Sequence, residues 1–323
     1  MKPTLLAAIA MAALTVMQPA ISQAAEYPNR PIRLVIGYAP GGAADVMARV
    51  IADALSRRLG QPVTVDNKPG AGATIAASIL ARARPDGYTL GLGTANAYGV
   101  DQHLYKVEYT GNDFTPIGRL TTAPLILAVN RDMGVASVQD LVAKAKASPG
   151  QLNYASSGIG GSPHLAGLMF EQAAGAPMVH VPFKGGAPAM TSIVSGDVQF
   201  SFGTAASVLP MGRDGRLTML GVTSSERSPV APDLPTLAES GLPGFEYSFW
   251  FGLLGPSGLP APVVDRLFAA ANEVLQDETV KEKLLVDGSI PAPSESPQAF
   301  SEFARQDGAR ALERLQKAGV TLN

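Results

Sequence analysis

The stretch from Leu34 to Leu59 constrains this chain most. Leu34-Val35-Ile36 is a short apolar run of strand type. Gly37-Tyr38-Ala39-Pro40-Gly41-Gly42 is a tight turn, and a helical pattern runs on from about Ala43. Val46, Met47, Val50, Ile51, Ala54 and Leu55 fall on one face of that helix, and Arg49, Asp53 and Arg57 on the other. This order leaves the first helix amides unpartnered at the turn, where the helix dipole favours an anion. Gly41 and Gly42 carry no Cβ, so backbone can approach a ligand closely. The unit reads as half of a carboxylate or phosphate site; the plainer alternative is an ordinary strand-to-helix connection.

The unit recurs. Val63-Thr64-Val65 is a second strand, Asp66 to Gly72 a turn, and Ile75, Ala76, Ile79 and Leu80 mark a helix. Tyr88 to Leu92 is a third strand, followed by Gly93-Thr94-Ala95-Asn96. Strand and helix in alternation predict a parallel sheet with helical crossovers, and ligands bind at the carboxyl ends of such strands. The turns at Gly41, Gly70 and Thr94 should therefore share one edge. From Pro124 the pattern begins again. Leu125 to Val129 is a strand, and Ser137 caps a helix with Asp140 three residues on. Leu152 to Ala155 is a strand leading into Ser156-Ser157-Gly158-Ile159-Gly160-Gly161-Ser162, with Ser162 as helix cap and Pro163 in the first turn. Val179 to Phe183 leads into Lys184-Gly185-Gly186 and another helix. Val198 to Phe202 and Leu217 to Val222 are further strands. Two similar lobes, each presenting helix N-termini at glycine turns, suggest a ligand clamped between them.

After Val222 the chain becomes proline-rich. Two amphipathic helices follow, marked by Val263 to Leu275 and by Phe300 to Leu315, the second weakened where Asp307 and Gly308 share its apolar face. Both are expected on the first lobe. The organisation predicted is a signal peptide over 1–24, a first lobe over 25–123 plus 223–323, and a second over 124–222, with a hinge near Pro124 and Val222. The signal assignment rests on Lys2, the apolar run Leu5 to Met17 and Ser22-Gln23-Ala24, with cleavage near Ala24. The apolar run is short for a bilayer span, although retention as an anchor stays open. The chain has no cysteine, so its stability rests on its core. Charged residues make up 16% and the formal net charge is −2, with no block of like charge. That argues against nucleic acid as a partner.

Motifs for catalysis are missing. There is no G-x-S-x-G, H-E-x-x-H, phosphate-loop lysine motif or complete G-x-G-x-x-G. His103, His164 and His180 have no metal-ligand spacing, so neither metal nor cofactor is expected. Ser162 and His164 invite a nucleophile-and-base reading, but project from different sides of one helical turn. His164 is expected instead to orient the glycine loop by a hydrogen bond. Lys184 either balances a carboxylate or is a solvated loop lysine. Asp45 reads as a helix N-terminal charge; facing the cleft, it would bind water, an amine or a hydroxyl. Trp250 is assigned to core packing.

Several motifs together resemble one family. They are Pro28-Asn29-Arg30-Pro31-Ile32-Arg33, Ala39-Pro40-Gly41-Gly42-Ala43-Ala44-Asp45, Asp66 to Gly72, and Pro85-Asp86-Gly87-Tyr88-Thr89-Leu90. Tyr154 to Gly158, His164-Leu165, His180 to Gly185, Pro235-Thr236 and Gly241 to Glu246 continue the match as far as Trp250. The chain resembles the Bug family, the periplasmic solute receptors of tripartite tricarboxylate transporters. The resemblance implies an α/β, two-lobe type II periplasmic-binding-protein fold with a hinged interlobe cleft. It implies a periplasmic, non-enzymatic receptor that delivers a small organic carboxylate to membrane permease subunits. Loop amides of both lobes would hold the carboxylate, often through water. The ligand-binding candidates are Tyr38, Pro40, Gly41, Gly42, Ala44, Asp45, Gly70, Ala71, Gly72 and Thr94 on the first lobe. On the second they are Ser156, Ser157, Gly158, Gly160, Gly161, Ser162, His164, Lys184, Gly185 and Thr204. Ala73 and Gly203 depart from the pattern, standing where members often have Gly and Asp. The second departure favours a plain mono- or dicarboxylate over an amino acid. A monomer is expected. The rival readings are a ligand-presenting sensor and a hydrolase or lyase using Ser162 and His164.

Overall fold

The computed structural model describes residues 27–286 and 288–322. The expected signal peptide lies outside them. No helix among the described residues is long and apolar enough to cross a membrane.

The first unit forms as read: β1 (Ile32–Ile36), α1 (Ala43–Leu59) and β2 (Val63–Asn67). Gly60 ends α1 in the left-handed conformation, its N–H donating to Ser56 O. One residue of the predicted apolar face is misplaced. Val46 is exposed, and Asp45 is buried in its stead because its carboxylate has partners inside the turn. α2 (Thr74–Ala81), β3 (Thr89–Gly93) and the short α3 (Val100–Leu104) follow. β1 pairs in parallel with both β2 and β3, so the three turns after them share one edge, as expected.

The sheet is not wholly parallel, which corrects the reading above. Two strands went unread, β4 (Phe114–Pro124) and, far along the chain, β10 (Ser248–Pro256). β10 runs antiparallel between β3 and β4, giving the order β11-β4-β10-β3-β1-β2. Both strands are covered on two faces, so neither shows the alternation that marks a half-exposed strand.

The second sheet takes β5 (Ile126–Asn130), β6 (Asn153–Ser156), β7 (Val179–Pro182), β8 (Phe200–Gly203) and β9 (Leu217–Val222), in the order β7-β6-β8-β5-β9. α4 (Val138–Ala147) and α5 (Ser162–Ala174) bury one of its faces. α6 (Gly186–Ser195) and α7 (Ala205–Arg213) bury the other. Ser137 and Asp140 cap α4 reciprocally, as predicted.

The chain does not leave the second sheet at Val222. Leu237, Leu242 and Phe245 pack into the same core as Leu127, Tyr154 and Phe202. The return comes at Tyr247–Ser248. Thr223 ties the crossing segments together: it exchanges hydrogen bonds with Leu125 at 2.8 and 2.9 Å and with Tyr247 at 2.8 and 2.7 Å.

Three helices, not two, complete the chain: α8 (Ala261–Gln276), α9 (Glu278–Val286) and α10 (Pro297–Lys317), with the two-residue β11 (Ile290–Pro291) between the last two. α9 was unread because only Val280 and Leu284 anchor it. α8 and α9 pack with α1 on one face of the first sheet, and α10 with α2 on the other. α10 also reaches the second lobe: Ala311 and Leu315 cluster with Leu104 of the first lobe and Leu165 of the second. The weak turn of α10 now has a reason. Asp307 accepts the Trp250 indole N–H at 2.8 Å, and Gly308 lets the helix lie against Tyr98. A Cβ on Gly308 would stand 2.6 Å from the Tyr98 carbonyl oxygen. Gly308→Ala is therefore expected to cost about 1–3 kcal/mol through overpacking, read as a lower urea midpoint with unchanged slope.

Candidate functional site

The two lobes present their strand ends to each other. β1, β2 and β3 end at the edge where β4 leaves and β10 returns. β6, β7 and β8 run parallel to one another and end at the edge where β5 enters and β9 leaves. The crossing strands therefore join the two ligand-type edges directly. At the cleft, Asn96 Nδ2 donates to the Gly160 carbonyl at 3.4 Å, from one lobe to the other.

Helices at these edges start without side-chain caps. Gly42 for α1, Gly161 for α5, Gly185 for α6 and Thr204 for α7 are N-caps that make no side-chain cap bond. Away from the cleft, Ser137 and Ser296 cap α4 and α10. An uncapped N-terminus keeps several N–H groups free and carries partial positive charge. The arrangement gathers such ends from both lobes around one cleft.

On the first lobe, Asp45 builds the turn rather than lining the opening. Its Oδ2 accepts the Gly41 N–H at 2.9 Å and its Oδ1 accepts from Asn67 Nδ2 at 2.7 Å. Arg49 pairs with it and holds its carboxyl down at about 2. Asn67 also donates to the Tyr38 carbonyl. Pro40, Gly41 and Gly42 are exposed above this lock, Tyr38 is half-buried with its ring edge-on to Phe251, and Ala44 is buried. In the second turn, Gly70, Ala71 and Gly72 are exposed, and both Ala71 and Ala73 take positive φ. Ala73 reaches this conformation with its Cβ against Gly37, where a further Cβ would stand only 2.2 Å away. Thr94 caps the short turn Ala95–Tyr98 and accepts from the Asn96 amide.

On the second lobe, Ser156 is fully buried. Its Oγ lies 2.6 Å from His180 Nε2 and bonds Gly158 through both backbone groups. Gly160 N–H donates to His164 Nδ1 at 3.0 Å, which is the loop-orienting bond expected of His164. Ser157, Gly158 and Gly161 are half-buried, Gly160 is buried against Leu104, and Gly185 and Lys184 stand above them. Exposed Lys184 pairs with no carboxylate among the described residues. Thr204 bonds Ser207 at the start of α7. Ser162 is not the cap of α5; Gly161 is, and Ser162 opens the helix beside the Tyr247 hydroxyl. Gly203 faces Val208, whose Cγ2 would stand 2.4 Å from any Cβ there, so the packing leaves no room for a carboxylate.

The nucleophile-and-base reading finds no geometry. His164 spends Nδ1 on Gly160, Ser162 turns to Tyr247, and the serine that does meet an imidazole, Ser156, has no exposed surface.

Residue-by-residue reading missed Asn67, Asn96, Ser156 as a partner of His180, and Asp101. The Asp66 to Gly72 and Tyr154 to Gly158 motifs carry Asn67 and Ser156, and Asn96 closes the small-residue stretch after β3; Asp101 lies in no motif. Asp101 is buried. Its Oδ2 accepts the Tyr109 hydroxyl at 2.7 Å, and its Oδ1 has no partner. It shares a cavity of about 30 Å³ with Tyr38, Gly72, Thr94 and Asn96. Burial pushes its carboxyl up to about 6, against the downward pull of the Tyr109 bond. Between pH 4 and 6 the folded state thus keeps a proton that the unfolded chain has released. The Asp101 contribution to stability falls as pH rises through that window. Asp101→Asn keeps an acceptor for Tyr109, so it should raise stability at pH 7.5 by about 1–3 kcal/mol and do little at pH 4. Calorimetric melts at the two pH values check this.

Comparison with known proteins gives the family. The family described as tripartite tricarboxylate transporter family receptor (TctC) matches residues 47–320. The chain is 36% identical to protein BugT of Bordetella pertussis over 271 residues, covering 82% of each. It superposes on an R. palustris protein solved with adipate at TM-score 0.83 and 32% identity, over 92% of this chain and all of that one. It superposes on MatC of Rhodopseudomonas palustris, solved with bound malate, at TM-score 0.78 and 31% identity, over 90% of this chain and all of that one. These are solute-binding receptors rather than enzymes, and the chain belongs to the tripartite tricarboxylate transporter receptor family.

Proposed function

We propose that this protein captures a small organic carboxylate between its lobes, holds it by backbone amides from both, and delivers it to a tripartite-type permease from the periplasm. The observation that carries the reading is the set of helices that start uncapped at the two facing edges. Free N–H groups of this kind satisfy an anion without a matching cation. The solved neighbours with adipate and malate support a carboxylate as ligand.

Charge at the cleft narrows the class. Arg49 pairs with Asp45, Arg33 and Lys68 share the single carboxylate of Asp66, and Lys184 pairs with no carboxylate among the described residues. So little uncompensated positive charge among the described residues, beside several helix ends, suits a mono- or dicarboxylate better than a tricarboxylate. The lobes we assign are 27–124 with 248–322, and 125–247, with Thr223 at the hinge. The protein is expected to act as a monomer, exported by its N-terminal segment.

A thermal-shift screen of C3 to C8 mono- and dicarboxylates should find a ligand that raises the melting temperature, because only the folded state binds it. No shift with any acid at millimolar concentration would count against the reading. With a ligand in hand, amide-dominated recognition sets an order among variants. Lys184→Ala should weaken binding modestly, by about fivefold or less, as expected for a solvated charge. Gly158→Val should nearly abolish it, because Gly158 has φ +142, and a Cβ there would stand 3.9 Å from the Phe183 carbonyl oxygen with its branches in the approach to the loop. Titration calorimetry giving the reverse order would make Lys184 the anchor.

A further inference from the structure

The Ser156–Gly161 loop is fastened by two stacked imidazoles. The rings of His164, from α5, and His180, from β7, lie 3.7 Å apart at 7°. One ring holds Gly160 through its N–H; the other meets Ser156, which holds Gly158. We propose that His164 and His180 are positioning residues for the carboxylate site, neutral rings that keep this loop in its anion-accepting shape, and that the loop is released when His164 takes a proton. The proposal rests on reading the loop as an anion contact.

The hydrogen bonds fix the chemistry. A backbone N–H can only donate, so His164 Nδ1 carries no proton and the neutral ring is the Nε2–H tautomer. A second proton would have to sit on Nδ1. It would face the Gly160 N–H, donor against donor, and that bond would be lost. Ser156 has one hydroxyl proton for two acceptors, Gly158 O and His180 Nε2. With that proton on Gly158 O, His180 donates from Nε2, and charging the ring places a cation against its stacked neighbour. Gly160 also meets Asn96 and Leu104 of the first lobe, so a displaced loop is felt across the cleft.

Nothing around the pair favours charge. β6 contributes the Tyr154 ring, at 6.3 and 5.1 Å, and β8 contributes Phe200 behind it. Glu171, later on α5, acts on Tyr154. Neither imidazole forms an ion pair among the described residues. Burial first, then the neighbouring ring, pushes His164 down to about 3, and burial pushes His180 down to about 4.

The test uses the full chain labelled with ¹⁵N. Histidine nitrogen shifts at pH 7.5 should show His164 as the Nε2–H tautomer; an Nδ1–H tautomer would overturn the proposal. Gly160 amide exchange, corrected for intrinsic rate, should lose protection as pH falls from 7.5 to 4. Two variants separate positioning from packing. His164→Phe keeps the stack and loses the acceptor, and should lower both Gly160 protection and affinity for the probe adipate by about tenfold, the worth of one hydrogen bond. His164→Asn supplies an acceptor at the same depth and should restore most of each. A Phe variant that keeps its protection at pH 7.5 sinks the proposal. If adipate binds neither wild type nor variants, the receptor reading suffers, while tautomer and exchange still decide the histidines.

Discussion

The proposed carboxylate site depends on helix starts at the cleft that no side chain caps. A helix commonly spends a serine, threonine or aspartate at its start, and a glycine there in its place costs roughly a few tenths of a kcal/mol. Ser137 and Ser296 cap α4 and α10, glycines start α1, α5 and α6 at the cleft, and α8 starts at Pro260 also without a side-chain cap. The chain forgoes capping at the positions where an anion would supply it. On the proposed function, ligand binding would complete hydrogen bonding that the fold leaves open, in a place that closure would shield from water.

Free donors help only if they are held still. Each lobe solves this differently. On the first, a buried carboxylate and an amide, Asp45 and Asn67, grip the turn from below. On the second, a serine and two stacked imidazoles do so. Between them Thr223 laces three segments into one hinge. Contacts such as Asn96 to Gly160 place the two grips within reach of each other.

Sequence patterns revealed the parts governed by local rules. Parallel units with glycine turns were legible because β1, β2 and β3 sit in short strand–turn–helix repeats. β10 was not: it pairs with β3 and β4 over a separation no local pattern encodes, and Gly252 within it makes room for the Phe300 ring. The stretch after Val222 read as a return to the first lobe, yet Leu237 and Phe245 serve the second core. Among site residues, the glycines were legible by their backbone freedom. Asp45 was read as a helix charge, and its inward turn depends on Asn67, which lies on another strand. Asp101 gave no signal, because a buried acid looks like any other acid in a sequence.

The central claim is that amides of both lobes hold the anion. Amide NMR during titration with adipate, or with the acid that the ligand screen selects, tests it most directly. The account predicts downfield proton shifts at Ala43 and Ala44, at Ser157, Ile159 and Ser162 and at Gly186, saturating together with one binding constant. Shifts confined to one lobe, or centred on the Lys184 side chain while these amides stay put, would contradict it.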